Sequence, residues 1–94
     1  MNVTIAEPAQ IALRNLGEDN RRRVEVWIDN LKRWDSDPFV RQHSKKLGGY
    51  ENVFMFITSA DVRIFFALEQ DAITVLEVAK RDTIISFGHI SGAG

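Results

Sequence analysis

The hydrophobic period of the sequence changes at Gly48-Gly49. Before this pair, between residues 20 and 35, apolar side chains recur at the i, i+3, i+4, i+7 spacing of an amphipathic helix. After it, the apolar residues are mostly Val, Ile and Phe, and polar turns divide them into short runs that are typical of strands. The chain thus joins a helical half to a sheet half, which predicts an α+β fold.

The helical half is predicted to be a short strand followed by two helices. The segment NVTIAE alternates polar and apolar residues, as a half-buried strand does. Pro8 suits the first turn of a helix, and Gly17 suits the end of one. Together with the amphipathic stripe that follows, these residues predict a two-helix hairpin over residues 8–35. Residues 39–47 are basic and irregular in pattern, with room for one further helical turn.

The sheet half is predicted to be an antiparallel meander, because polar turns at residues 59–61 and 69–71 favour hairpins. The strand-like runs are residues 52–58, 62–68 and 72–79, with a further short piece at residues 83–87. The predicted fold is therefore an α+β domain with an N-terminal strand, a two-helix hairpin and a three- to four-stranded antiparallel sheet. We expect the helices to cover one face of that sheet.

Length and composition bear on the number of domains and on the kinds of ligand that the chain can bind. The 94 residues predict a single domain over residues 1–87 and a flexible tail over residues 88–94. The net charge is -1, so the chain lacks the overall basic excess on which nucleic-acid binding normally rests. It has no cysteine and two isolated histidines, so we expect no metal site and no cofactor. No apolar run has membrane-spanning length and no secretory leader is visible, so we expect a cytoplasmic protein without membrane contacts.

Two arginines stand on the predicted sheet. Alternation along the second run puts Arg63 on the face away from Ile64 and its apolar neighbours. If the next hairpin is centred on Gln70, Arg63 lies opposite Glu77, and Arg81 shares their face. One interpretation of Arg63 is a cross-strand ion pair with Glu77.

Four segments, in this order, resemble the RelE/ParE superfamily of toxins from type II toxin–antitoxin systems. They are LRNLGEDNRRRV, KKLGG, DVRIFFAL and ITVLEVAKRD, and the resemblance covers about residues 3–87. It implies a RelE-like fold and a ribosome-dependent endoribonuclease, an mRNA interferase that inhibits translation and is silenced by a cognate antitoxin protein. In the ParE branch it implies an inhibitor of DNA gyrase instead.

The resemblance also implies roles for individual residues. Arg63 and Arg81 fall on the two arginine positions of the family, where a guanidinium stabilises the charge that develops on the phosphate. Two histidines are candidates from this sequence itself rather than from the resemblance, because histidine can serve as acid or base near neutral pH: His89 has the strand parity of Phe87 and is a candidate catalytic residue, and His43 beside Lys45-Lys46 is a further one. Three more cations are expected to contact the RNA backbone: Arg41, Lys45 and Lys46.

The chain departs from the RelE pattern at three positions. Phe54 and Phe56 stand where the branch has lysines, and Phe87 stands where it has a tyrosine. We expect these rings, with Phe65, to form an aromatic patch on the uncovered face. The patch could stack RNA bases, anchor a protein partner or form a second small core. With a net charge of -1, protein binding is favoured over stacking, so the second hypothesis is a ParE-like or degenerate member that binds gyrase or an antitoxin without cleaving RNA.

Overall fold

The computed structural model describes residues 1–49, 51–58 and 62–80, and it confirms the predicted α+β class. The helical half consists of strand β1 (Asn2–Ile5), helix α1 (Glu7–Asn15), helix α2 (Glu18–Asn30), one 3-10 turn (Leu31–Arg33) and the short helix α3 (Pro38–Gln42). The sheet half consists of strands β2 (Ser44–Lys46), β3 (Val53–Ile57), β4 (Val62–Leu68) and β5 (Ala72–Lys80). The predicted two-helix hairpin and the three main strand runs are all present.

The strands form one five-stranded sheet in the order β1-β5-β4-β3-β2. Strands β3, β4 and β5 are antiparallel neighbours, as predicted, and β2 adds to β3 in the same antiparallel sense, whereas β1 pairs with β5 in parallel. The sheet is therefore mixed, and it gains a second edge strand from the segment that was expected to be irregular. The predicted strand piece at residues 83–87 and the predicted tail at residues 88–94 lie outside the described residues.

The helices cover one face of the sheet and bury the main core against it. Helix α1 lies against β5, and α2 brings its apolar stripe onto the central strands. The buried core side chains from the helical half are Ala9, Leu13, Val24, Ile28, Leu31 and Val40. Those from the sheet are Phe56, Val62, Ile64, Phe66, Ile73, Val75 and Val78. Alternation along each strand gives the sheet this covered face and a second face turned away from the helices.

Helix α3 fixes the position of the edge strand β2. Asp37 caps the helix by accepting a hydrogen bond from the backbone N–H of Phe39 at 3.0 Å, and Pro38 occupies the first turn. The Ser44 hydroxyl then donates to the Val40 carbonyl oxygen at 3.0 Å. These local bonds explain why a segment without strand periodicity still delivers a short strand to the edge of the sheet.

The β4–β5 hairpin contains a β-bulge at Leu76. Phe66 lies opposite Val75, but the preceding residue Phe65 lies opposite Glu77, so Leu76 is an extra residue without a partner on β4. The bulge allows two apolar residues of β5 that are three positions apart to face the core. Residues on both sides of it, Val75 and Val78, point into the core.

The bulge also changes the pairing of Arg63. Without it, a uniform register from the turn would place Glu77 opposite the buried Ile64. With it, Glu77 points to the uncovered face and Arg63 lies opposite Ala79. The predicted pairing of Arg63 with Glu77 is therefore wrong, because the turn is centred between Gln70 and Asp71 rather than on Gln70 and the bulge shifts the register by one further residue.

No helix within the described part of the chain is both long and apolar enough to cross a membrane.

Candidate functional site

The face of the sheet that the helices leave uncovered is the candidate functional site, and we call it the open face. Strand pairing and alternation place one set of side chains there: Lys45, Val53, Met55, Ile57, Arg63, Phe65, Ala67, Thr74, Glu77 and Ala79. Most of them are partly exposed, in contrast to the buried residues of the covered face. The open face thus combines a mainly apolar surface with three charged groups.

Arg63 lies on β4 in the interior of the sheet, between Ile57 on one neighbouring strand and Ala79 on the other. Its Nη1 donates a long hydrogen bond of 3.4 Å to the carbonyl oxygen of Val62. Within residues 1–49, 51–58 and 62–80, its guanidinium makes no ion pair. A guanidinium fork of this kind can bind an anion, and it lies on the uncovered face that strand alternation predicted.

Glu77 supplies a carboxylate to the same face. It lies opposite Phe65 and is a diagonal neighbour of Arg63, a relation in which Cα atoms lie about 7–8 Å apart. One carboxylate oxygen accepts a hydrogen bond from the backbone N–H of Val78 at 2.9 Å, and no described cation pairs with it. Glu77 was predicted only as a partner for Arg63, and its place as a separate candidate group on the open face was not predicted. An acidic residue inside an apolar strand was the signal that could have found it.

The predicted RNA-binding cations do not all lie together. Lys45 is opposite Met55 and shares the face of Arg63, whereas Lys46 is opposite Phe54 on the helix side of the sheet. Arg41 lines a cavity together with Trp34 and several residues of the β4–β5 turn. Of these three cations, the open face therefore has only Lys45.

Phe54 and Phe56 lie on the covered face, so the predicted aromatic patch on the open face is wrong in its placement. Phe56 is 0% exposed, and its ring centroid lies 5.3 Å from that of Trp27. Phe54 stacks on Phe66 at 5.5 Å and meets Trp34 edge-on at 5.2 Å. The two tryptophans of the helical half decide the orientation of β3, because their rings need apolar partners beneath them.

The other side of β3 brings three apolar residues to the open face, Val53, Met55 and Ile57. None of them can transfer a proton or neutralise a phosphate. Strand β3 therefore offers the open face no lysine, whichever of its two sides is considered. Among the described residues, Phe65 is the aromatic ring on the open face. The chemistry available on this part of the face is anion binding by Arg63 and Lys45 and proton acceptance by Glu77.

His43 lies at the β2 edge. Its Nδ1 is 2.9 Å from the carbonyl oxygen of Phe39, and its ring lies 4.1 Å from the Phe39 ring. Its own carbonyl oxygen accepts a hydrogen bond of 2.9 Å from the N–H of Ile57, the residue opposite Arg63. Its backbone is thus two strands away from Arg63.

Three predicted site residues, Arg81, Phe87 and His89, lie outside the described residues, so their proposed roles stay predictions. In the described part of the chain, no three His, Asp or Glu side chains converge as metal ligands would.

The similarity of this chain to known proteins is a similarity of fold. No protein-family model matches the sequence, and no curated protein matches it. Solved structures do. A chain of the RelB–RelE antitoxin–toxin complex from Methanococcus jannaschii is 20% identical, with a TM-score of 0.71 over 89% of this chain and 96% of that one. The isolated E. coli RelE toxin is 16% identical, with a TM-score of 0.66 over 95% and 97% of the two chains.

A chain of the archaeal RelE–RelB complex from Pyrococcus horikoshii OT3 is 22% identical, with a TM-score of 0.66 over 85% of this chain and 93% of that one. These likenesses extend over nearly the full length of each compared chain. The protein therefore has the fold of the RelE toxins.

Proposed function

We propose that the protein is the toxin of a type II toxin–antitoxin pair and that its open face binds messenger RNA on the ribosome and cleaves it. The observation that carries the proposal is a RelE fold whose uncovered sheet face holds an arginine with no described ion-pair partner. Two of the similar chains come from complexes of RelE with RelB antitoxins, which supports a cognate antitoxin as partner. A ribosomal target implies action in the cytoplasm.

The proposed reaction needs a base, an acid and two phosphate-binding cations around one phosphate. The 2′-hydroxyl oxygen attacks phosphorus, the bond from phosphorus to the 5′-oxygen breaks, and a cyclic phosphate and a free 5′-hydroxyl result. Arg63 and Arg81 bind the phosphate oxygens and stabilise their added negative charge. Glu77 accepts the proton of the 2′-hydroxyl, and His89 donates a proton to the leaving 5′-oxygen. No metal and no cofactor enters this sequence of steps.

The apolar character of the open face favours a second candidate function. Ile57 lies opposite Arg63, Phe65 follows it on the same face of β4, and Met55 and Val53 continue the apolar surface along β3. Apolar and aromatic side chains beside an arginine are typical of protein interfaces. In this alternative the protein is a ParE-like or degenerate member that binds DNA gyrase, or only its antitoxin, and cleaves no RNA.

Controlled expression in a bacterial host separates the two functions. We expect induction to stop growth and to produce cuts within translated regions of mRNA, mapped by primer extension. Arg63→Ala is expected to abolish both effects, and Glu77→Gln is expected to slow cleavage while RNA binding persists. Arg22→Ala, which removes a cation paired with Glu18 on α2, is the matched control and is expected to retain full activity.

The adjacent lysines give a finer control. Lys45→Ala should weaken the effect and Lys46→Ala should not, because the two side chains point to opposite faces of the sheet. Growth arrest with DNA-damage signalling and intact mRNA would establish the second function instead. Harmless expression of a folded protein would exclude both toxic activities.

A further inference from the structure

Two rings form an exposed stack beside the edge strand β2. The ring centroids of Phe39 and His43 are 4.1 Å apart, with an angle of 37° between the planes. Phe39 is 46% exposed, and His43 is partly exposed. The contact of 2.9 Å between the Nδ1 of His43 and the Phe39 carbonyl oxygen holds the imidazole in place. An apolar ring is thus kept at the surface in a fixed orientation.

The stack continues into the core through Trp27. The Trp27 and Phe39 centroids lie 6.3 Å apart with nearly parallel rings, and Trp27 also contacts the fully buried Phe56. We call Trp27, Phe39 and His43 the edge stack. Because its inner end is packed in the core, ligand binding would order few additional side chains, and this lowers the entropic cost of association.

The chain around the edge stack is cationic. Residues 38–49 contain Arg41, Lys45 and Lys46 and no acidic residue. None of these three cations makes an ion pair with a carboxylate of the described residues. The other large exposed apolar side chains, Ile11 and Val26, lie on α1 and α2 instead. An exposed aromatic stack in a basic segment, whose cations have no described ion-pair partner, suits a partner with flat rings on a polyanionic backbone.

We propose that the edge stack binds one unpaired base of single-stranded RNA and that Lys45 contacts an adjoining phosphate. The base lies against the exposed surface of Phe39 and His43. Stacking of this kind tolerates any base, because every base has a π-face. The chain therefore contacts RNA at a second place, beside the strand edge, without a sequence preference there.

The edge stack lies near enough to Arg63 for one RNA strand to bind at both places. His43 is joined to Ile57 by a backbone hydrogen bond, and Ile57 lies opposite Arg63. Two steps between neighbouring strands, of about 4.8 Å each, separate the backbones of His43 and Arg63. The inner end of the stack packs on the covered face and Arg63 lies on the open face, so a single strand that contacts both places passes around the β2 edge of the sheet. This inference rests on the proposed function, because it requires RNA on the open face.

The experiment compares two RNA-like probes of equal length and charge. One is a 2′-O-methyl oligoadenylate, which lacks the free 2′-hydroxyl needed for cleavage, and the other has the same backbone without bases. Fluorescence anisotropy gives the Kd of the full chain for each probe. The variants are Phe39→Leu, Phe39→Tyr and Arg63→Ala, and Val26→Ser is the control for loss of an exposed apolar side chain elsewhere.

We expect the unmodified chain and Val26→Ser to bind the base-bearing probe about 5- to 150-fold more tightly, the range that one base–aromatic stack covers. Phe39→Leu should remove most of this preference, and Phe39→Tyr should keep it. Arg63→Ala should weaken the binding of both probes by a similar factor.

Equal binding of both probes by the unmodified chain would overturn the edge-stack proposal and leave phosphate binding intact. A preference that survives in Phe39→Leu would overturn it as well. Binding of neither probe by the folded chain would overturn both this proposal and the RNA-binding function on which it rests.

Discussion

The two sides of this protein use their charged side chains differently. On the helical side, Arg14 and Arg23 have no described ion pair, but four cations have a carboxylate three or four residues away: Arg21–Glu25, Arg22–Glu18, Lys32–Asp29 and Arg33–Asp37. The hydrogen bond and the charge of Lys32 hold the pKa of Asp29 below its ordinary value. On the open face, Arg63, Lys45 and Glu77 have no ion-pair partner among the described residues.

This difference separates stability from binding. Helix-surface pairs reduce local repulsion and each adds a small amount to stability, so their cations are already neutralised. Charges without partners contribute little to the fold and keep their hydrogen-bonding capacity for another molecule. Alternation keeps the charged groups of the sheet out of the core, because it sends neighbouring residues of a strand to opposite sides.

The largest expected difference in stability is between two single substitutions at neighbouring positions of β3. Phe56→Ala should lower the free energy of unfolding by about 3–5 kcal/mol, because it leaves a cavity beneath Trp27 in the core. Met55→Ala, one residue away on the open face, should cost about 1 kcal/mol, since its side chain is only partly buried. Urea unfolding followed by circular dichroism measures both values. Equal losses would mean that the two faces of β3 are wrongly assigned.

A smaller effect is expected when Leu76 is deleted. Because Leu76 is the extra residue of the bulge, its removal leaves Glu77 opposite Phe65 and Val78 on the core side, in a regular ladder. We expect a loss of about 1 kcal/mol in urea unfolding, from the apolar contacts of one partly buried leucine.

Deletion of Ile64 on β4 is the control for the Leu76 deletion. It removes a fully buried side chain and moves Arg63 to the covered face, so we expect it to prevent folding. If the two deletions were equally damaging, the pairing around the bulge would be incorrect.

The sequence predicted what local patterns determine. The 3.6-residue period located the helices, and alternation in DVRIFFAL put Arg63 on the uncovered face. The parallel partner of β1 depends on a contact between residues about seventy positions apart, and no local pattern encodes it. The edge strand β2 depends on hydrogen bonds from α3 and β3, which its own residues do not reveal.

The candidate site was predicted less completely, for two physical reasons. The run VFMFI is apolar on both sides of the strand, so alternation could not distinguish its faces, and the tryptophans of the helical half decided the outcome. The bulge moves Glu77 to the open face because Val75 and Val78 must both pack in the core. The sequence of β5 alone does not reveal this, since it depends on the residues of β4 opposite them.

The smallest expected effect compares a paired cation with an unpaired one. Arg22→Gln should lower the free energy of unfolding by a few tenths of a kcal/mol at low salt, because it breaks the exposed pair with Glu18. That loss should vanish at about 1 M salt, where screening removes surface ion pairs. Arg63→Gln should change stability by less than about 0.3 kcal/mol at either salt concentration, because no described pair is broken. Urea unfolding at the two salt concentrations provides the four values. A salt-dependent loss for Arg63→Gln would reveal a partner for this guanidinium within the protein and would remove the main reason to assign it to an external phosphate.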